Sequence, residues 1–156
     1  MRKTFDAQLR ELGEALVDMA ASAEDAIDTV TRSLTSADAG TARRAIELTR
    51  AMDEMERGIE NQCFRLLLQQ QPVAHDLRTI SAALKMVTDL QRIGDQCANI
   101  AELALLWPEG ARGVGELAHI HAMSQKAAIM VKRSIHAYAN QDAEAARTVI
   151  ALDDEV

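Results

Sequence analysis

The sequence predicts an all-α protein, an up-down three-helix bundle followed by part of a second, repeated bundle. Three observations carry this expectation. Ala, Leu and Met are abundant while aromatic residues make up 3% of the chain and proline occurs twice, a composition that favours helices and starves a sheet. Apolar residues recur at steps of three and four along three long segments, which puts them on one face of each helix. A pattern running from Asp38 to Leu48 reappears from Asp142 to Leu152, as a duplicated helical unit would show.

The first helix is predicted from a seam at Leu9, Leu12, Leu16, Met19, Ala23, Ala26 and Val30, widened by Ile27 and Leu34. It ends near Ser36, and Ser36-Ala37-Asp38 offers polar groups to cap the next helix. The second helix runs from about Ala39 to Gln70, with Met52, Met55, Ile59, Cys63 and Leu66 on its apolar side. Gln69-Gln70-Gln71-Pro72 then punctuates the chain, and Pro72 suits the first turn of a third helix, where its missing N–H costs little. That helix, from about Val73 to Leu106, turns Leu77, Ile80, Leu84, Val87, Leu90, Ile93 and Ile100 inward. Gly94, in its middle, permits close packing of a neighbouring helix. Helices of this size are roughly 45 Å long at 1.5 Å per residue, and short connections make them antiparallel neighbours.

Residues 1–107 therefore read as the first bundle. Residues 108–115, with Pro108, Gly110, Gly113 and Gly115, read as a linker. Residues 116–156 read as the first half of a second bundle: a fourth helix from about Leu117 to Ala139, and a fifth that opens at Gln141-Asp142 and is unfinished at Val156. The repeat offset is 104 residues (142 − 38), and it also superposes Met19 on Met123 and Ala23 on Ala127. The fourth and fifth helices carry apolar stripes, including Ile120, Met123, Ile135 and Val149, with no third partner. Large apolar patches are rarely left bare, so a homo-oligomer is expected.

Charge narrows the function classes. Seventeen Lys plus Arg against twenty-four Asp plus Glu leave a net charge of −7, which opposes non-specific binding to nucleic acid and to anionic membranes. The longest stretch free of Asp, Glu, Lys and Arg is Leu66 to His75, far short of the ~20 apolar residues of a membrane span. No apolar run follows the N-terminus as in a signal peptide, and Cys63 and Cys97 read as reduced core fillers. A cytoplasmic protein that inserts in no membrane is expected.

Catalytic templates are missing: no glycine-rich phosphate loop and no Gly-x-Ser-x-Gly elbow occurs. A di-iron site of the ferritin type needs two Glu-x-x-His motifs, and only Glu116 to His119 supplies one. The chain is not expected to be an enzyme. Two polar stripes remain. Gln91, Asp95 and Asn99 stand at i, i+4 and i+8 on the third helix, followed by Glu102; Thr49, Asp53, Glu56 and Glu60 line the second. Facing carboxylates can surround a cation, and oxygen ligands without sulfur suit Mg, Mn or Fe. A solvated acidic face is the other reading of the same spacing.

The stretch Leu66-Leu67-Leu68-Gln69-Gln70-Gln71-Pro72-Val73-Ala74-His75-Asp76-Leu77-Arg78, then Asp89-Leu90-Gln91-Arg92-Ile93-Gly94-Asp95 and Asn99-Ile100-Ala101-Glu102, closely resembles the PhoU family of phosphate-transport and phosphate-signalling regulators. The resemblance implies two repeated three-helix bundles and a cytoplasmic regulator. It further implies partners, namely the ATPase of a phosphate ABC importer and a sensor histidine kinase, with the starvation response restrained when phosphate is ample. Some members hold multinuclear metal clusters through paired Glu/Asp-x-x-x-Asp motifs, so the resemblance also implies a transition-metal ion or cluster (Fe, Zn, Mn or Ni) or Mg. Carried onto this chain, the motifs fall at Gln91 to Asp95 and Thr49 to Asp53, with Asn99 one turn on and Asp153 opening the equivalent in the second unit. Gln91 and Thr49 stand where the family's first acidic residue would be, which removes up to two negative charges and lowers the expected affinity. The alternative function implied by these residues is a metal-binding or metal-storage bundle.

Overall fold

A computed structural model describes residues 2–36, 38–70, 72–107 and 114–156. Of the expected linker, residues 108–113 lie outside the described residues. The helices are α1 (Arg2–Ser36), α2 (Ala39–Gln70), α3 (Ala74–Leu106), α4 (Val114–Ala139) and α5 (Ala143–Ile150), followed by a 3₁₀ turn at Asp153–Glu155. Among the described residues there is no strand, and no helix is long and apolar enough to cross a membrane.

The predicted seams form the core. Leu12, Leu16 and Met19 of α1 meet Met52 and Cys63 of α2 and Ile80 and Val87 of α3, all fully buried. Towards the other end the contact residues are small: Ala26, Ala42, Ala45 and Ala101 are almost completely buried, which lets the helix axes approach. Gly94 is also explained by packing. A Cβ there would lie 3.2 Å from the Met52 sulfur, tighter than an ordinary van der Waals contact, so the position is filled by its neighbour's side chain.

Asp38 and Asp142, the paired residues of the repeat, do the same work. Asp38 accepts hydrogen bonds from the Gly40 and Thr41 amides, both at 3.0 Å, and Asp142 accepts from those of Glu144 and Ala145 at 3.1 and 2.9 Å. Each caps the first turn of a helix whose leading N–H groups have no partner of their own.

Several details differ from the sequence reading. Pro72 precedes the N-cap rather than lying in the first turn; Val73 is the N-cap, with extended backbone at φ −76° and ψ 169°, where the proline's fixed φ is equally at home. Leu77 is 45% exposed because it lies at the hairpin tip beside Phe64, Leu68 and Val73, which are exposed too. Ile100 is 37% exposed at the edge of a cleft. The fourth helix begins at Val114 and not near Leu117; the first amides of a helix make no helical bonds, so Gly115 costs little there. The fifth helix closes at Ile150 into a turn. Asp153, Asp154 and Glu155 would bring three negative charges to its C-terminal end, against the helix dipole.

Helix α4 lies along α1. Ile135 and Ala137 are buried, the Tyr138 hydroxyl donates to the Thr79 carbonyl at 3.0 Å, and Lys132 stands 3.8 Å from Glu24. At its end Gln141 adopts φ 53°. The Gln141 amide donates to the Tyr138 carbonyl and the Asp142 amide to that of Ala137, at 3.0 and 2.8 Å, the paired bonds of a Schellman close. Glycine is the usual residue at that left-handed position, and Gln141→Gly is expected to stabilise the fold by about 1 kcal/mol. Urea denaturation checks it; a loss of stability would contradict the assignment.

Candidate functional site

Helices α2 and α3 pack along their length and bring the two polar stripes together at their shared edge. Asp53 is half-buried, and its Oδ1 accepts from Gln91 Nε2 at 3.4 Å, a bridge between the two helices. Asp95 and Asn99 are exposed on α3. Glu56 lies among carboxylates: burial, and then the charges of Glu60, Asp53 and Asp95, push its carboxyl above the ordinary value. Thr49 is 7% exposed and turns inward, its hydroxyl donating to the Ile46 carbonyl at 2.8 Å. Asp153 belongs elsewhere, in the groove between α4 and α5 with Met130 and Val149. Of the six residues singled out from the sequence, the structure thus brings Asp53 and Gln91 into contact, with Asp95 close enough to be felt by Glu56.

The donor set has consequences for a metal. Among the described residues, no three His, Cys, Asp or Glu side chains converge as an ion-holding group. Gln91 presents its N–H side to Asp53, whereas hard cations take oxygen ligands. The Thr49 hydroxyl is engaged with its own helix. As placed here, Thr49, Gln91 and Asp53 are engaged with protein groups. What they make is an amide–carboxylate bridge beside an acidic patch.

The acidic patch has a pH signature. The folded-state value of Glu56 is raised, so between the unfolded and folded values the native state binds more protons, and stability falls as pH rises through that window. Glu56→Gln is expected to stabilise the protein at pH 7, with the gain shrinking towards about pH 4, where the glutamate is itself protonated. Chemical denaturation at both pH values measures this; a gain that grows on acidification would contradict it.

Other candidates are quiet. Cys63 and Cys97 are free and buried, and burial pushes both thiols up to about 11, which makes them poor nucleophiles. His75, His119, His121 and His136 are exposed, and the Glu116 side chain lies outside the described residues. Sequence reasoning missed an apolar cleft of about 580 Å³ between α1, α3 and the first half of α4, lined by Ile27, Val30, Ile93, Ile100, Ile120 and Met123. The signal for it was the repeat offset, which pairs Ile120 and Met123 with core residues of α1.

The profile of the PhoU domain matches residues 16–104 and 120–156, more than half of the chain. The chain belongs to the PhoU family. The two matched segments begin 104 residues apart (120 − 16), the offset that superposes Asp38 on Asp142. A phosphate-specific transport system accessory protein PhoU homologue of Pseudomonas aeruginosa is 36% identical over 97% of this chain and 63% of its own length. A homologue of the same description from Clostridium acetobutylicum is 36% identical over 99% of this chain and 71% of its own. The chain thus spans a little under two thirds of the Pseudomonas PhoU relative. The crystal structure of PhoU from Pseudomonas aeruginosa superposes with a TM-score of 0.89 at 30% identity, covering 97% of this chain and 72% of that one. PhoU from Streptococcus pneumoniae, described as a phosphate transport system regulatory protein, gives 0.86 at 26% identity, over 97% and 70%.

Proposed function

We propose that this chain is a cytoplasmic regulator of phosphate uptake and phosphate-starvation signalling. It acts as a helical adaptor between the ATPase of a phosphate ABC importer and a sensor histidine kinase, and catalyses no reaction of its own. The observation that carries this reading is the 36% identity, over 97% of the chain, to a phosphate-specific transport accessory protein. Residues 116–156 are, on this reading, the first half of a second repeat.

A physical feature supports docking by helical faces. The stretch Leu66 to Arg78 holds the most specific family residues, yet Leu68 is 83% exposed, and Phe64, Val73 and Leu77 beside it are exposed as well. Apolar side chains left this exposed are free to serve a partner. Purified chain, immobilised and offered the importer ATPase and the sensor kinase separately, is expected to retain at least one of them. Leu68→Asp should weaken that retention. Retention of neither partner rejects the adaptor reading.

A second reading, that the α2–α3 edge takes a single cation such as Mg or Mn and that the ion is the function, is favoured by the like charges crowded around Glu56. A bound cation would relieve that repulsion. Elemental analysis of chain purified without chelator tests it. Stoichiometric metal that falls in Asp53→Ala and Asp95→Ala supports the reading, and metal-free protein rejects it.

A further inference from the structure

Two grooves 104 positions apart share a framework and differ in chemistry. One, of about 440 Å³, lies between α1 and α2, with Arg32, Ser36, Asp38 and Thr41 in its walls. The other, of about 530 Å³, lies between α4 and α5, with His136, Asn140, Asp142 and Ala145 at the same four positions of the repeat. The first groove is open although α1, α2 and α3 are packed together around their core, so such a groove belongs to the helical hairpin itself.

In the first unit the polar groups satisfy one another. Asp38 engages both oxygens: Oδ1 accepts from the Gly40 amide at 3.0 Å, and Oδ2 from the Thr41 amide and hydroxyl at 3.0 and 2.6 Å. Arg32 donates to the Thr29 hydroxyl at 3.3 Å, and Arg44 pairs with Glu47 at 3.4 Å. In the second unit two exchanges undo this. Ala145 stands in place of Thr41, so Asp142 takes both capping bonds on Oδ1, and its Oδ2 has no hydrogen-bond partner among the described residues. Arg133 stands in place of Thr29, is exposed, and has no carboxylate partner among the described residues. Charge follows the same trend, since α4 alone of the five helices carries more Lys and Arg than Asp and Glu: Lys126, Lys132 and Arg133 against Glu116.

We propose that the α4–α5 groove binds a nucleoside phosphate. Arg133, with Lys132 and the His136 imidazole on the same wall, presents donors to phosphate oxygens, which a guanidinium grips in pairs. Lys132 is shared with Glu24 at 3.8 Å, so Arg133 is the principal cation. The far end presents acceptors instead. Asp142 offers Oδ2, and Asn140, whose Nδ2 donates to the His136 carbonyl at 2.9 Å, offers its amide oxygen. An inorganic anion satisfies only the cationic wall. A phosphate joined to hydroxyl and amine donors, as in a ribose and its base, satisfies both, and the buried Ala137 and Val149 supply an apolar floor. The volume is that of an ordinary small-molecule site. This proposal stands apart from the adaptor reading, since it rests on the groove and the repeat alone.

Calorimetric titration of the 156-residue chain with ATP and, separately, GTP is the test. At least one is expected to bind at one site per chain, with adenosine and inorganic phosphate each at least about tenfold weaker. Arg133→Thr and Ala145→Thr, which introduce the first unit's residues, are each expected to weaken binding about tenfold with the far-UV helical signal unchanged. Arg133 is exposed, and threonine occupies the position equivalent to Ala145 in α2. Arg32→Ala, in the first groove, is expected to leave binding unaltered. Neither nucleotide binding at millimolar concentration, inorganic phosphate binding as tightly as the nucleotide, binding unaffected by Arg133→Thr, or an equal loss in Arg32→Ala would each overturn the proposal.

Discussion

Leu16→Ala is expected to cost about 3 kcal/mol of folding stability, and Ile120→Ala, the equivalent change 104 positions on, under about 1 kcal/mol at concentrations where the chain is monomeric. Leu16 is completely buried among Leu12, Met52 and Val87, so truncation removes its transfer free energy and leaves a cavity walled by rigid helices. Ile120 loses contacts on one side only, since the other faces the open cleft. Urea denaturation of the two variants at low protein concentration reads the difference directly. Equal costs would mean that the second unit is as well packed as the first, and would undo the comparison of repeats.

The second large effect is at Gly94. A methyl group alone would stand 3.2 Å from Met52 Sδ and 3.4 Å from Cε, and Met52 is itself fully buried. Gly94→Leu is therefore expected to destabilise by about 3 kcal/mol through overpacking. The cause is identified by a double-mutant cycle. Met52→Ala opens the space that the leucine needs, so the double variant should cost less than the two single changes added together. Strict additivity would show that the helices part at Gly94 for some other reason.

Much of this fold was legible in the sequence, because long helices advertise themselves through repeated spacing. The seam from Leu12 to Val30 is buried along its whole length, and Gly94 marks a close approach as its isolation suggested. The repeat was legible too, down to the side-chain caps at Asp38 and Asp142. What spacing could not show is where a helix lacks a neighbour. Leu77 and Ile100 lie on the stripe expected to face inward on α3, yet each is more than a third exposed, since periodicity reports a helix's own face and not what stands opposite. The site shows the same limit. Facing stripes placed Asp53 and Gln91 near each other, but the turn of Thr49 towards Ile46 and the Gln91 amide towards Asp53 depend on rotamers that only packing decides. The end of α5 was hidden because an apolar pattern that includes Val149 and Ile150 says nothing of the three acids that follow.

The adaptor reading is tested most directly in cells. Expression of phosphate-starvation genes would be measured in ample phosphate, with the coding sequence for this chain intact, deleted and restored. The expected result is full starvation expression in the deletion strain despite ample phosphate, and repression again on restoration. Expression and phosphate uptake that stay unchanged when the chain is removed would contradict a role in phosphate regulation.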